Sequence, residues 1–184
     1  KGSILLEGEE VVGKTGDSMS KLRGTKVGMI FQNPLTALNP LMKIGQQVME
    51  MLAVHEVYPE SQYESRTFQL LEQVGIPNSK RVANQFPHQL SGGMRQRVMI
   101  AIAIANDPDL IIADEPTTAL DVTIQAQILD LILDVQKKKN AGVILITHDL
   151  GVVAEVADTV AVMYAGQLVE KASVEELFNN PKHP

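Results

Sequence analysis

Phe86 to Asp121 reads FPHQLSGGMRQRVMIAIAIANDPDLIIADEPTTALD, and the fold is decided here. Leu90-Ser91-Gly92-Gly93 precedes a run compatible with helix, Met94 to Ala105. A Gly-Gly turn at that place presents free backbone N–H groups at a helix start, which suits an anion. The second element is the apolar run Leu110-Ile111-Ile112-Ala113, which reads as a buried strand and ends in Asp114-Glu115. Ligands of α/β sheets bind outside such strand ends, so both carboxylates are candidate site residues.

Downstream, Asp121 is placed as the N-cap of a helix running to about Lys139, with Ile124, Ile128, Leu131, Ile132 and Val135 on one face. Lys137-Lys138-Lys139 reads as a solvated helix end whose charge suits the dipole. Gly142 breaks the helix, and Val143 to Thr147 is expected as a second buried strand ending in His148-Asp149, where Asp149 caps a short helix. A right-handed strand–helix–strand crossover makes the two strands parallel and brings Asp114, Glu115 and His148 to one sheet edge. Thr159 to Tyr164 and Gln167 to Lys171 read as a hairpin around Ala165-Gly166, followed by a helix from Val174 to Asn179.

Upstream, Lys26 to Phe31 is strand-like and closes at Gln32-Asn33-Pro34. Gln32 at that strand end either faces a ligand or satisfies backbone groups. Apolar spacing is helical from Ile44 to His55 and from Glu60 to Gly75, so residues 34–89 read as a helical subdomain, with Met42, Met49 and Met51 as core filler. Ile4 to Leu6 is a short strand, and a polar segment follows to Gly24. Gly8 to Thr15 formally fits the G-x-x-x-x-G-K-[ST] pattern of a phosphate-binding loop. Glu9 and Glu10 would put negative charge into a phosphate cradle, and Gly16-Asp17-Ser18 follows where a helix should propagate, so strand and turn is the preferred reading.

Composition narrows the classes. A chain of 184 residues suits one domain, and 45% hydrophobic content with 4% aromatics favours helices packed on a buried sheet. Lys plus Arg number 16 against 22 for Asp plus Glu, a net charge of -6 that argues against a broad nucleic-acid footprint. With no Cys, disulfides and thiolate metal sites are excluded. No apolar run approaches a bilayer span and no signal-peptide pattern opens the chain, so a membrane role is expected to be indirect.

Together these residues suit phosphoryl transfer to water: one carboxylate for Mg2+, a second to orient or deprotonate water, a His for the transferred phosphate, and amides for phosphate oxygens. That chemistry is mostly positioning and charge neutralisation.

The same residues resemble the ATP-binding cassette (ABC) ATPases, specifically the ATP-binding subunits of oligopeptide, dipeptide and nickel importers. Leu90 to Arg97 resembles the signature, Leu110 to Glu115 the Walker B strand, Ala119-Leu120-Asp121 the D-loop, His148 the switch histidine, and Phe31 to Pro34 the Q-loop. The subfamily resemblance rests on Asn33 to Pro40, Phe86 to Gln89, Asp121 to Gln127 and Asn180 to Pro184.

The resemblance implies an α/β, P-loop NTPase-like parallel sheet core with an inserted helical subdomain. Residues 1–184 would form a partial ABC ATPase domain: a β-rich part and Q-loop over 1–33, helices over 34–89, and the signature, Walker B, D-loop and switch over 90–184. It further implies a dimer with ATP between one protomer's Walker motifs and its partner's signature. Asp114 would hold Mg2+ through water, Glu115 would be the general base, His148 would contact the γ-phosphate, and Gln32 would sense Mg2+ and the attacking water. Asp121 would complete the catalytic set, while Ser91, Gly92, Gly93 and Gln89 would face the ATP of the other subunit. Residues 33–60 would receive transmembrane importer subunits at the cytoplasmic face of the membrane, and no nucleic acid is expected.

One departure accompanies the match. Lys14 lies only 18 residues before Gln32, whereas the family's phosphate loop lies well upstream. The loop Lys, the adenine-stacking aromatic and the first strands are therefore expected to be lacking, and the chain alone is expected to bind ATP weakly. The strand over 143–147 is expected to expose an edge that favours self-association. Two other classes are a non-catalytic binding or assembly module and a non-transport ABC ATPase acting on nucleic acid or ribosomes.

Overall fold

A computed structural model describes residues 2–118 and 120–183, in two compact units, 1–145 and 146–184. Ala119 of the D-loop stretch and Pro184 of the last stretch lie outside the described residues.

The first unit opens with a hairpin of β1 (Leu5–Leu6) and β2 (Glu9–Glu10), antiparallel, with Leu5 opposite Glu10. Glu7 and Gly8 turn it at φ 50 and 83, the left-handed pair that two-residue hairpins require. The Glu10 carboxylate accepts the Ser3 hydroxyl and the N–H groups of Ile4 (2.9 Å) and Val12 (3.0 Å), which holds its pKa down to about 2. Lys14 is salt-bridged to Glu9. Residues 8–15 are thus hairpin and turn rather than strand, phosphate loop and helix.

A short helix α1 (Asp17–Leu22) follows, where the sequence suggests only a polar segment; it buries none of its residues, so no apolar stripe marks it. Then come β3 (Val27–Ile30), α2 (Pro34–Ala37), α3 (Ile44–His55), a 3-10 turn (Glu60–Gln62), α4 (Tyr63–Gln73), α5 (Ser79–Ala83) and a second 3-10 turn (Pro87–Gln89). Ile44, Val48 and Leu52 of α3 and Leu70 and Leu71 of α4 are wholly buried in one core with Ile100. Each such side chain contributes roughly 1.5–3 kcal/mol on leaving water.

Helix α6 (Gly92–Ala103) begins two residues before the helix expected at Met94, because Ser91 caps it from just outside the Gly pair. It leads to β4 (Leu110–Asp114), α7 (Val122–Lys139) and β5 (Gly142–Ile146). Asp121 caps α7, accepting the Ile124 N–H at 3.0 Å, and Asn140 ends it at φ 52. The strand order is β3-β4-β5, with β3 and β4 parallel and Ile30 opposite Ala113. A Cβ on Gly28 would stand 2.2 Å from the Ala103 carbonyl oxygen, so β3 carries glycine where the end of α6 lies on the strand.

The buried character expected of β5 holds for only one of its faces. Val143 and Leu145 turn to the core while Ile144 is 49% exposed, as the two-residue alternation of a strand dictates.

The loop between α6 and β4 is pinned by Asp107, itself at φ 52. Its carboxylate takes both oxygens' bonds from Arg66 (2.9 and 3.0 Å), an ion pair from Lys139 (2.5 Å) and the Tyr58 hydroxyl. Burial pushes the Asp107 carboxyl up, but the bonds from Lys139 and Tyr58 and the Arg66 charge outweigh it and hold it below the ordinary value.

The second unit contains α8 (Leu150–Val156), β6 (Thr159–Tyr164), β7 (Gln167–Ser173) and α9 (Val174–Asn179). Strands β6 and β7 form an antiparallel hairpin turned at Ala165 and Gly166, φ 47 and 76. Buried Glu170 accepts the backbone N–H groups of Lys182 (3.1 Å) and His183 (2.9 Å), fastening the last described residues to the hairpin. No helix among the described residues is long and apolar enough to cross a membrane.

Candidate functional site

The parallel register of β3 and β4 makes the site. Ile30 pairs with Ala113, so the chain leaves both strands side by side, and two residues on, Gln32 stands beside Glu115. The Gln32 Nε2 donates to Glu115 Oε2 at 2.7 Å. The same oxygen accepts the Thr118 hydroxyl at 2.8 Å, while the Thr118 N–H reaches the Glu115 carbonyl at 3.1 Å. Glu115 itself has φ 45, a left-handed conformation that a non-glycine residue takes only when its surroundings impose it. One carboxylate oxygen is thereby oriented by two neutral donors. Asp114, half-buried, ends β4 immediately before it.

The second part of the site lies at the starts of α6 and α7. Ser91 Oγ accepts the Met94 N–H at 3.3 Å. A Cβ on Gly93 would come within 2.9 Å of Ile124 Cγ2, and one on Gly92 within 3.9 Å of Leu120 Cδ2, so the glycines let the two helix starts approach closely. Their backbone amides form the positive end of a long helix. Asp121, the cap of α7, belongs to this part. Gln89 lies just before it, exposed, with its side-chain oxygen accepting the Phe86 N–H at 2.8 Å. That bond commits the Gln89 oxygen to its own turn.

The structure therefore joins Gln32 to Glu115 and sets Ser91, Gly92 and Gly93 beside the start of the helix that Asp121 caps. His148 belongs to the second unit, exposed between β5 and α8, where Thr147 Oγ1 accepts the Asp149 N–H at 3.1 Å and Asp149 caps α8 through the Gly151 N–H at 2.9 Å. Thr118 is the residue that sequence reasoning omits. The available signal was a hydroxyl three positions beyond Glu115, on the turn that follows a strand end.

The donors are hard oxygens, the ligand type that suits Mg2+. No group of three or more His, Asp or Glu among the described residues could enclose a metal ion.

Comparisons with known proteins bear on the family and the fold. The family described as ABC transporter matches residues 1–118. The oligopeptide transport ATP-binding protein OppD of Lactococcus lactis subsp. cremoris is 91% identical over 183 residues, covering 100% of this chain and 54% of that protein. OppD of Bacillus subtilis is 58% identical over 184 residues, again covering 100% of this chain and 51% of its own length. The chain thus spans about half the length of the curated relatives it matches. Among solved structures, a dimer of the ATP-binding cassette MJ0796 in a post-hydrolysis state, bound to ADP and Pi, superposes with a TM-score of 0.81 at 28% identity over 95% of this chain and 74% of that one. The cbiO1 protein of Clostridium perfringens, part of the ABC transporter complex cbiONQ, gives 0.83 at 29% identity over 98% of this chain and 69% of that one.

Proposed function

Because the chain belongs to the ABC transporter family, we propose that it is part of an ATP-binding subunit that couples ATP hydrolysis to the import of peptides, as the names of its relatives suggest, and that it is inactive by itself. The observation that carries this reading is the Gln32–Glu115 contact of 2.7 Å at the ends of adjacent parallel strands.

In this reading Glu115 is the general base. Its Oε2, held by Gln32 and Thr118, keeps the carboxylate turned to the place where water is to be deprotonated. Gln32 carries the state of that carboxylate back to β3 and the residues that follow. Asp114 would hold Mg2+ through water, and Gln32 would join it; the ion, when bound, supplies charge neutralisation on the phosphate oxygens. His148 would hydrogen-bond the transferred phosphate, and Asp121 would order the residues beside it. Ser91, Gly92 and Gly93, with Gln89 before them, would bind the ATP of a second ABC ATPase subunit through the amides at the start of α6. Residues 33–60 would receive the transmembrane subunits, placing the protein peripherally on the cytoplasmic face of the membrane. The division at residues 33 and 89 into a β-rich part, a helical subdomain and a catalytic remainder belongs to the same reading.

The test is Glu115→Gln in the full-length subunit within its assembled transporter. Turnover is expected to fall by about 10²–10⁴, the usual worth of a general base, with ATP affinity retained. ATP hydrolysis within a few-fold of wild type would refute the assignment.

A further inference from the structure

Arg97 sits on α6, past the Ser91–Gly93 turn, and its guanidinium reaches two other helices. Nη1 donates to the Val74 carbonyl at the end of α4 at 2.7 Å, and Nη2 donates to Gln127 Oε1 on α7 at 2.9 Å. The seat is shaped for it: Gly75 has φ 74, and a Cβ there would stand 2.8 Å from Nη1. A cation at the carbonyl end of α4 is also favoured by that helix's dipole, and the planar fork bonds two directions at once, which an ammonium on a flexible stem does less well.

We propose that Arg97 is a positioning residue that fixes α6 to α4 and α7 together, and so sets the Ser91–Gly93 amides relative to Asp121. Among the described residues the two helix starts come close at Gly93, where an added Cβ would stand 2.9 Å from Ile124 Cγ2, and at Gly92 near Leu120, places where small groups resist sliding weakly. Arg97–Gln127 supplies the directional bond that holds their register, and Arg97–Val74 ties that register to the helices of residues 34–89. A movement of α4 therefore reaches the signature amides through this guanidinium as well as through the core that Leu70 and Leu71 share with Ile100. The functional consequence rests on the reading of Ser91–Gly93 given above, whereas the mechanical claim does not.

The experiment uses the full-length subunit in its assembled transporter, with spin labels at exposed Gln69 on α4 and Asp130 on α7. Arg97→Met is expected to broaden the distance distribution between the labels and to lower ATP turnover about tenfold, as the loss of a charge-assisted bond predicts. Arg97→Lys, which keeps one cationic donor for the Val74 carbonyl, is expected to recover part of both. Should Arg97→Met fail to fold, Gln127→Leu cuts only the α7 arm on an exposed surface, and the same broadening is expected. An unchanged distribution in either variant, or unchanged turnover in Arg97→Met while Gly93→Asp abolishes it, overturns the proposal. If Gly93→Asp leaves turnover intact while Arg97→Met still broadens the distances, the signature reading is what has failed, and with it the functional half of the proposal.

Discussion

Oε2 of Glu115 is held by groups that come from opposite directions in sequence: Gln32 from the preceding strand end and Thr118 from the turn beyond. The Thr118 hydroxyl is the more local of the two and can be removed with little change of volume. Thr118→Val is expected to lower ATP turnover in the assembled transporter by about fivefold, the kinetic equivalent of one neutral hydrogen bond, with ATP affinity unchanged. Single-turnover measurements would separate that loss from an effect on product release. Strand-end reasoning reaches Gln32 and Glu115 from sequence, because each stands just past an apolar run. It does not reach the bond between them, which depends on β3 and β4 being neighbours although the paired residues are 83 positions apart.

At the scale of elements, legibility follows burial. Helix α7 is readable because Ile128, Ile132 and Val135 recur on one buried face between a capping Asp and a run of Lys. Helices α1, α2 and α5 are not, since they run four to six residues and the first two bury nothing, so no period is available to detect. The close approach of β3 to the end of α6 is likewise silent in sequence, where Gly28 looks like any strand glycine. Gly28→Ala is expected to destabilise by about 1–3 kcal/mol, as overpacking against backbone does, read as a lowered denaturant midpoint. On β5, the outer strand in the order β3-β4-β5 among the described residues, the strand edge is expected to favour self-association, with the half-exposed Ile144 on that strand. Light scattering of this 184-residue chain should show mass rising with concentration, and Ile144→Lys should reduce that rise.

At the scale of the first unit, Asp107 gathers three separate parts of the chain: Tyr58 and Arg66 from residues 34–89, the loop leaving α6, and Lys139 from the end of α7. Asp107→Asn keeps the shape and loses the charge, and is expected to cost about 1–3 kcal/mol at neutral pH, discounted for partial exposure. The sign with pH follows from the lowered folded-state pKa. The contribution is fully present above the unfolded value of 3.8 and disappears as pH falls through the folded value, so wild type and Asp107→Asn should converge in stability in strong acid. The partners of Asp107 lie 49 and 41 positions upstream, which gives this junction a place in time as well as in space. Contacts that must close such long loops form late in folding. Asp107→Asn should therefore hasten unfolding and leave refolding nearly unchanged, making this carboxylate a determinant of how long the folded unit persists rather than of how fast it arises.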